Sequence, residues 1–454
     1  MFYKFMDGPL KNLKSFLKHK FVADTLALQT GTFISMLFTL AQSAVLARFL
    51  GPKDYGCYVL VLSIDGIAGL ASFLNYHSAV VSRLTPAWFR KDKASILYQL
   101  GFYLKTRLFI GIFTGLIGFT LGPIIGEVLY NRRDLGELSR WLAFNALISS
   151  PYFLLITLLA AIREMRYVMI LEITAAFISF VGYFTILFLG YRLGGIVVAT
   201  VMISITSAAI ALPFYIIIVY RQWEQVLPNC RSLLSALKQV SLLHNLKLGF
   251  LTSLDGSLKS LLDLFPVLLL GKYSSSEEAG FYRLGTRIIS FPMMLMTGII
   301  RNILPTLGQV GNEPVIFRKK YWKIVALSST SIALISIVVL AVAPFFIQIV
   351  YGHAYSPTID LVWILGISVV TAGFGVGPAN VYILFDRVGS LLNIRLLIML
   401  VCMPIGFIFV QKWGAAGAAA FTVLWQLLQR VATSVHSEQL MRRWIQEPTL
   451  YKIG

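Results

Sequence analysis

Long apolar runs dominate the chain and constrain its fold more than any other feature of the sequence. About a dozen runs of roughly 20 mostly apolar residues alternate with short polar breaks, and roughly 20 helical residues suffice to cross a bilayer core of about 30 Å. Hydrophobic residues make up 57% of the 454 residues and charged residues only 13%, which is too little polar surface to cover soluble domains. The sequence therefore predicts an all-α polytopic membrane protein with about 12 transmembrane helices.

The predicted spans divide the chain into two halves. The spans cover residues 24–47, 55–82, 106–126, 139–161, 168–189, 195–220, 248–270, 281–304, 324–350, 361–384, 389–410 and 415–438. The predicted parts are a cytoplasmic amphipathic segment (1–23), an N-lobe (24–221), a cytoplasmic amphipathic linker (222–247), a C-lobe (248–440) and a cytoplasmic tail (441–454).

The net charge of +19 has the distribution of a topology signal. With the N-terminus in the cytoplasm, the inner segments hold roughly 25 Lys and Arg and the outer segments roughly 8. Both termini are therefore predicted to be cytoplasmic. No nucleic-acid-binding fold accompanies the positive charge, so we expect no nucleic-acid partner.

Two stretches outside the spans have amphipathic helical spacing. Leu10, Leu13 and Leu17 share one stripe of the N-terminal segment, beside lysines that would contact anionic membrane lipids. In the linker, Leu233, Leu234, Leu237 and Val240 form a second apolar set.

The two halves carry matching features at corresponding places. Leu50-Gly51 and Tyr55-Gly56 after the first span correspond to Leu270-Gly271 and Ala279-Gly280 after the seventh. Pro123 precedes Tyr130 by seven positions, and Pro344 precedes Tyr351 by the same seven. Because each half has an even number of spans, the sequence predicts two parallel six-helix lobes around a central cavity.

Residues 47–56, Ala-Arg-Phe-Leu-Gly-Pro-Lys-Asp-Tyr-Gly, resemble the stretch that ends the first helix of polysaccharide-biosynthesis (Wzx-type O-antigen and capsule) flippases. These proteins belong to the multidrug/oligosaccharidyl-lipid/polysaccharide exporter (MOP) superfamily. The resemblance implies a V-shaped cavity that opens alternately to each side of a bacterial inner membrane, lined by helices one, two, seven and eight. It also implies a polyprenyl-pyrophosphate-linked glycan as cargo, and a polymerase and a chain-length regulator as partners. Family members often carry an Asp about five residues before the glycine equivalent to Gly271, whereas here Asp263 lies eight before it.

Three charged residues share one face of the seventh span. Asp255, Lys259 and Asp263 are spaced four apart, so each carboxylate can approach the ammonium group. The trio is either a structural ion ladder that lowers the cost of insertion, or a site where Asp255 or Asp263 binds H⁺ or Na⁺ and couples transport to an ion gradient.

Intramembrane arginines are the predicted partners of a pyrophosphate group. Arg283 and Arg287 lie four apart in the eighth span, and a guanidinium binds phosphate oxygens in a fork geometry. Arg48 and Arg283 occupy related places in the two halves, and snorkelling to the outer interface is the alternative role for Arg48. Asp65 and Lys259 complete the set of candidate cavity residues.

Glycines and prolines inside the spans predict bends. The candidate hinges are Gly373, Gly375, Gly377 and Pro378 in the tenth span, Pro266 in the seventh and Pro292 in the eighth. Gly and Pro are also generally more frequent in membrane helices, which is the alternative explanation.

Motifs for other chemistry are absent from the sequence. There is no G-x-x-x-x-G-K-[ST] loop for ATP, no zinc motif, no nucleophile elbow and no paired cysteine spacing. We therefore expect no cofactor apart from a coupling ion, and no enzymatic activity. The alternatives to a glycan flippase are a drug or cation antiporter of the same superfamily and a membrane-embedded glycan polymerase.

Overall fold

The described part of the chain is helical. The computed structural model describes residues 20–70, 77–241, 246–296, 303, 307, 313–385 and 387–447. These ranges consist of helices and short turns without a β-strand, so the all-α class is confirmed. Most of the predicted segment 1–23 and the end of the predicted tail 441–454 lie outside the described residues.

The helices fall into two sets on either side of a short linker helix, α9 (Cys230–Gln239). The N-lobe contains α1 (Lys20–Leu70), α2 (His77–Phe89), α3 (Lys93–Tyr130), α4 (Arg133–Leu142), α5 (Asn145–Ile148), α6 (Ser150–Ala161), α7 (Met165–Phe188) and α8 (Leu193–Phe214), which continues as a π-helical turn over Tyr215–Tyr220. The C-lobe contains α10 (Leu246–Tyr273), α11 (Ser276–Ile289), α12 (Phe291–Leu295), α13 (Pro314–Phe346) with a π-helical turn over Ile347–Tyr351, α14 (Pro357–Val370), α15 (Pro378–Leu384) and α16 (Val388–Gln446).

Two of these helices are too long to cross a bilayer once. With 51 residues in α1 and 59 in α16, the two would extend over about 75 to 90 Å if straight, more than twice the hydrocarbon core. Each is interrupted by one glycine with non-helical dihedrals, Gly51 (φ 71°, ψ 172°) in α1 and Gly414 (φ 50°, ψ −127°) in α16. The left-handed φ favours glycine at both places, and each helix therefore comprises two segments.

Helix length and composition identify the helices that could cross a membrane. Among the described residues, seven helices are long and apolar enough to cross a membrane, or eight if α14 and the segment Ala372–Leu384, bent by 46°, form one span. The predicted seventh and eighth spans, α10 and α11–α12, do not qualify. They carry most of the candidate site charges, whereas Arg48 and Asp65 lie in α1. A multi-pass membrane protein is confirmed, whereas the count of twelve stays a prediction.

The linker helix α9 packs on the N-lobe. Leu233, Ala236 and Val240 are buried, and a Cβ added to Gly101 of α3 would lie 3.0 Å from Ala236. The ammonium group of Lys105 donates a hydrogen bond of 2.7 Å to the carbonyl of Val240. The apolar face predicted from the linker sequence is thus covered in part by α3.

The two halves meet at the glycines that the sequence aligned. A Cβ added to Gly280 of α11 would lie 3.2 Å from the Cα of Gly56 in α1. The hydroxyl groups of the two corresponding tyrosines also contact serines, Tyr130 with Ser63 at 2.6 Å and Tyr351 with Ser43 at 2.8 Å. Gly56 and Gly280, which occupy equivalent places in the two repeats, therefore lie at one contact between the lobes.

The candidate hinge residues occupy different settings. Pro292 follows the break between α11 and α12, and Gly373 and Gly375 lie in a 3₁₀ turn that leads to Gly377 and Pro378 at the start of α15. Pro266 lies inside α10, which continues through it. A Cβ at Gly373 would come within 2.2 Å of the Cα of Ser329, so this glycine also permits close packing on α13. Motion at these positions stays a prediction.

Candidate translocation site

A cluster of aromatic side chains joins the lobes beside Gly56 and Gly280. The rings of Tyr55 and Phe281 each pack edge-on against Tyr355, with centroids 6.1 and 5.9 Å apart, and Tyr351 adjoins the same ring. We call these four residues the aromatic cluster. The three tyrosines are almost completely buried, so the lobes are tightly apposed at this end.

Arg48 links the N-lobe to the C-lobe next to the aromatic cluster. Its Nε donates a hydrogen bond of 2.8 Å to the carbonyl of Val350, and its Nη2 donates to the carbonyl of Ile349. These carbonyls belong to the last turn after α13, where unpaired carbonyls and the helix dipole favour a cation. The guanidinium is therefore engaged in a contact between lobes, and its predicted role in pyrophosphate binding stays untested.

Arg287 makes a second link between lobes. One Nη donates a hydrogen bond of 2.9 Å to the carbonyl of Thr39 in α1, and the guanidinium also lies within electrostatic reach of Tyr55 and Tyr58. Its side chain is half-buried. Arg287 of α11 therefore contacts α1 close to Tyr55 of the aromatic cluster.

Lys259, Asp263 and Arg283 form an exposed polar group between α10 and α11. Lys259 and Asp263 lie on the exposed polar face of α10, and Asp263 is within electrostatic reach of both Lys259 and Arg283. None of the three side chains makes an ion pair or hydrogen bond to the part of the chain that the structure describes. Charged side chains in a membrane protein face protein or water rather than lipid, so these groups are suited to line a polar path.

Asp255 is separated from this group by its pairing. Its carboxylate accepts hydrogen bonds of 2.6 and 3.1 Å from Arg395 of α16, which also donates to Gln429 at 3.2 Å. Arg395 is 5% exposed. The expected approach of Asp255 to Lys259 is therefore replaced by a buried bidentate pair within the C-lobe.

Asp65 lies on the N-lobe side of the lobe contact. Its side chain is half-buried and makes no hydrogen bond or ion pair within the described residues. Its neighbour Gly66 faces Leu264 of α10, since an added Cβ would lie 3.3 Å from that leucine. Asp65 and Asp263 thus flank the contact between α1 and α10 without forming a pair.

Three arginines outside the predicted set also occupy spans. Besides Arg395, Arg107 of α3 stacks on Phe153 with its guanidinium carbon 4.4 Å from the ring centroid, and Arg430 of α16 donates a hydrogen bond of 2.8 Å to Thr371. An arginine inside an apolar run is itself a sequence signal. The sequence alone therefore indicates that each of the three arginines has a polar or aromatic partner, but it does not indicate which residue that partner is.

Metal binding finds little support among the described residues, where no group of three or more His, Cys, Asp or Glu side chains could hold a metal ion.

The two-lobed helical fold, with polar groups between its repeats, defines a polytopic membrane protein. An inward-facing multidrug resistance MATE family transporter of the MOP superfamily aligns over 93% of this chain and 99% of its own, at a TM-score of 0.74 and 14% identity. An outward-facing structure of such a transporter covers 94% and 96% at 0.63 and 14%. A MOP superfamily transporter from Pyrococcus furiosus covers 93% and 95% at 0.64 and 14%. At these identities the likeness establishes the fold alone.

The family model described as polysaccharide biosynthesis protein matches residues 45–360, and the chain belongs to this family. The match begins two residues before the stretch 47–56 that carried the sequence resemblance and extends past the aromatic cluster. No curated protein gave a significant match.

Proposed function

We propose that the protein flips a polyprenyl-pyrophosphate-linked oligosaccharide from the cytoplasmic to the outer leaflet of the bacterial inner membrane by alternating access. The observation that carries the proposal is the exposed cationic pair Lys259 and Arg283 between α10 and α11, in a member of a polysaccharide biosynthesis family. A pyrophosphate needs cationic donors, and a guanidinium supplies them in a fork geometry.

From their contacts, we assign the candidate residues to two proposed functions. Lys259 and Arg283, which have no partner among the described residues, would hold the pyrophosphate. Arg48 and Arg287, which donate to backbone carbonyls of the opposite lobe, would stabilise the state in which the aromatic cluster is closed. Opening that end of the molecule requires these hydrogen bonds to break, so the two arginines oppose opening until the cargo is bound.

Ion coupling is assigned to Asp263 rather than to Asp255. Asp255 is held by Arg395, so a coupling ion would have to displace a bidentate ion pair to reach its carboxylate. Asp263 is exposed beside the cationic pair, where protonation would change the charge of the cargo site. In vesicles with an imposed proton or sodium gradient, Asp263→Asn should make transport independent of the gradient. Transport that keeps its full gradient dependence would exclude Asp263 as the coupling group.

A drug or cation exporter is the second candidate, favoured by the multidrug transporters among the structural neighbours. A cationic cargo is disfavoured by exposed Lys259 and Arg283, because like charges repel at this range. Overexpression that raises drug resistance would support this candidate.

The proposal is tested by deleting the gene and measuring the lipid-linked oligosaccharide in each leaflet. The lipid should accumulate in the cytoplasmic leaflet, and the wild-type gene should restore its transfer. Transfer at the normal rate in the deletion strain would overturn the proposal. Restoration by an Arg283→Gln variant present at normal levels would instead overturn only the assigned site.

A further inference from the structure

A basic pocket lies at the end of the N-lobe farthest from the aromatic cluster. It has a volume of about 540 Å³ and lies between the end of α2 and the segment that follows the π-helical turn 215–220. Tyr130, at one end of α3, contacts Gly271 near the aromatic cluster, so Lys93, at the other end, marks the opposite end of the lobe. The lining residues are Trp88, Phe89, Lys91, Arg221, Gln222, Trp223, Glu224, Gln225 and Val226, which we call the interfacial pocket.

The interfacial pocket combines two cations with an aromatic wall. Lys91 and Arg221 are exposed, and their side chains make no ion pair or hydrogen bond to residues that the structure describes. Trp88 and Trp223 pack edge-to-face with centroids 5.9 Å apart. Tryptophans of this kind sit at the level of lipid headgroups, with an apolar body toward the acyl chains.

The acidic groups near the pocket do not neutralise both cations. Asp92 follows Lys91, but its carboxylate accepts hydrogen bonds from the amide and hydroxyl of Ser95 at 3.0 and 2.6 Å as the cap of α3. Glu224 is the single carboxylate in the lining. The lining therefore carries a net charge of about +1, with Arg221 and Lys91 free to bind an anion.

We propose that the interfacial pocket binds the phosphate headgroup of an anionic phospholipid of the membrane. Basic pockets between transmembrane helices recognise such headgroups, and Arg221 can form paired hydrogen bonds to the phosphate. The occupant is a lipid rather than a soluble phosphate because Phe89, which is 63% exposed, and Trp88 extend the pocket as an apolar wall. The bound lipid would hold the segment leading to α9 against α2, and this role does not depend on the identity of the cargo.

Native mass spectrometry of the full-length protein, titrated with phosphatidylglycerol or phosphatidylcholine, tests the proposal. Phosphatidylglycerol should bind preferentially. Its affinity should fall about fivefold in Arg221→Gln and in Lys91→Asn, since one cation near a membrane phosphate contributes about that factor. Asparagine is chosen because Lys91 has a φ of 55°, which asparagine tolerates.

Glu224→Gln should change phosphatidylglycerol binding in the opposite direction. Removing the carboxylate should strengthen phosphatidylglycerol binding, an effect that a merely structural role of the pocket does not predict. Lys238→Gln, an exposed charge on α9 outside the pocket, is the matched control and should leave binding unchanged.

Three outcomes would overturn the proposal. Equal binding of phosphatidylglycerol by the wild type and the Lys91→Asn/Arg221→Gln double variant would show that these two cations do not hold the lipid. An equal loss in Lys238→Gln would show general surface attraction. Displacement of the lipid by millimolar glycerol phosphate would identify a site for soluble phosphate rather than for a lipid headgroup.

Discussion

Three arginines near the aromatic cluster were all candidates for pyrophosphate binding from the sequence, but their side chains differ in their contacts in the structure. Arg48 and Arg287 donate to backbone carbonyls across the lobe contact, whereas the side chain of Arg283 is exposed without a partner in the described chain. A guanidinium that is already bonded must lose those bonds before it can bind cargo. Arg283 is therefore the arginine best placed to bind a phosphate.

Replacing Arg283 should impair transport without unfolding the protein. Arg283→Gln removes a charge-assisted contact worth about 1.5 to 3 kcal/mol, so the apparent affinity for the lipid pyrophosphate should fall about tenfold or more. Arg283→Lys should retain part of the activity, because it keeps the charge but loses the fork geometry. The measurement is the initial rate of flipping in proteoliposomes at varied lipid-pyrophosphate content.

Lys412→Gln is the control for Arg283→Gln, since Lys412 is exposed near Gly414 and has no role in the proposed site. An Arg283→Gln protein with wild-type affinity would contradict the assignment.

The Asp255–Arg395 pair should contribute to stability rather than to transport chemistry. Breaking a buried ion pair from one side costs about 3 to 5 kcal/mol, because it leaves an uncompensated charge. Asp255→Asn should therefore lower the melting temperature in detergent markedly, and the double variant Asp255→Asn/Arg395→Gln should recover part of the loss. Asp263→Asn, at an exposed carboxylate of the same helix, should change the melting temperature little. Equal destabilisation by both aspartate variants would refute this distinction.

At the residue scale, sequence predicts which side chains carry chemistry better than it predicts their partners. Asp255, Lys259 and Asp263 were identifiable as charges inside an apolar run, and their spacing suggested pairing within one helix. The observed partner of Asp255 lies 140 positions away in α16. Helical spacing reports local neighbours only, and packing between helices decides which of them a carboxylate reaches.

At the scale of elements, glycines set how closely helices approach. Gly51 was expected to follow the end of the first span, and its left-handed φ interrupts α1 at that place. Gly56 was expected only as part of a motif, yet a Cβ at this position would lie 1.8 Å from the backbone oxygen of Ser276. The sequence marked both glycines, but only the crossing of α1 and α11 explains the second.

Gly56→Ala should therefore weaken the contact between the lobes. The added methyl group meets backbone rather than a flexible side chain, so α1 and α11 must move apart, at a cost of about 1 to 3 kcal/mol or more. Gly256→Ala is the matched control within a helix, because no atom lies within 4 Å of its added Cβ. That control should be neutral or stabilising by up to about 1 kcal/mol. Thermal unfolding in detergent measures both, and equal stability of the two variants would contradict the close crossing.

At the scale of the whole molecule, the repeat explains why each lobe contains a corresponding tyrosine contact. Tyr58 lies close to Tyr183, whose hydroxyl contacts Thr200 at 2.8 Å, and Tyr282 contacts Thr422 at 2.7 Å in the other lobe. The sequence predicted the repeat in part from Tyr130 and Tyr351, because matched spacing survives divergence. It could not predict that Gly56 and Gly280 face each other, since that depends on how two separately folded halves dock.

Alternating access requires the lobes to separate at the aromatic cluster, so a covalent link there should stop transport. Ser43 and Tyr351, whose side-chain oxygens are 2.8 Å apart, belong to different lobes. In a protein with Cys57, Cys230 and Cys402 replaced by serine, Ser43→Cys and Tyr351→Cys should be bridged by a short bifunctional, reducible thiol reagent. Flipping in proteoliposomes should fall to the level of empty vesicles, and reduction should restore it.

A cross-link within one lobe is the control, because it shows whether the reagent itself inhibits transport. Tyr183→Cys and Thr200→Cys replace a tyrosine–hydroxyl pair with the same 2.8 Å separation, but both residues belong to the N-lobe. Because this link joins parts that move together, the bridged protein should keep transporting. If the link between Ser43 and Tyr351 also left the rate unchanged, the lobes would not separate at the aromatic cluster during transport, and the hydrogen bonds of Arg48 and Arg287 would be permanent rather than part of a gate.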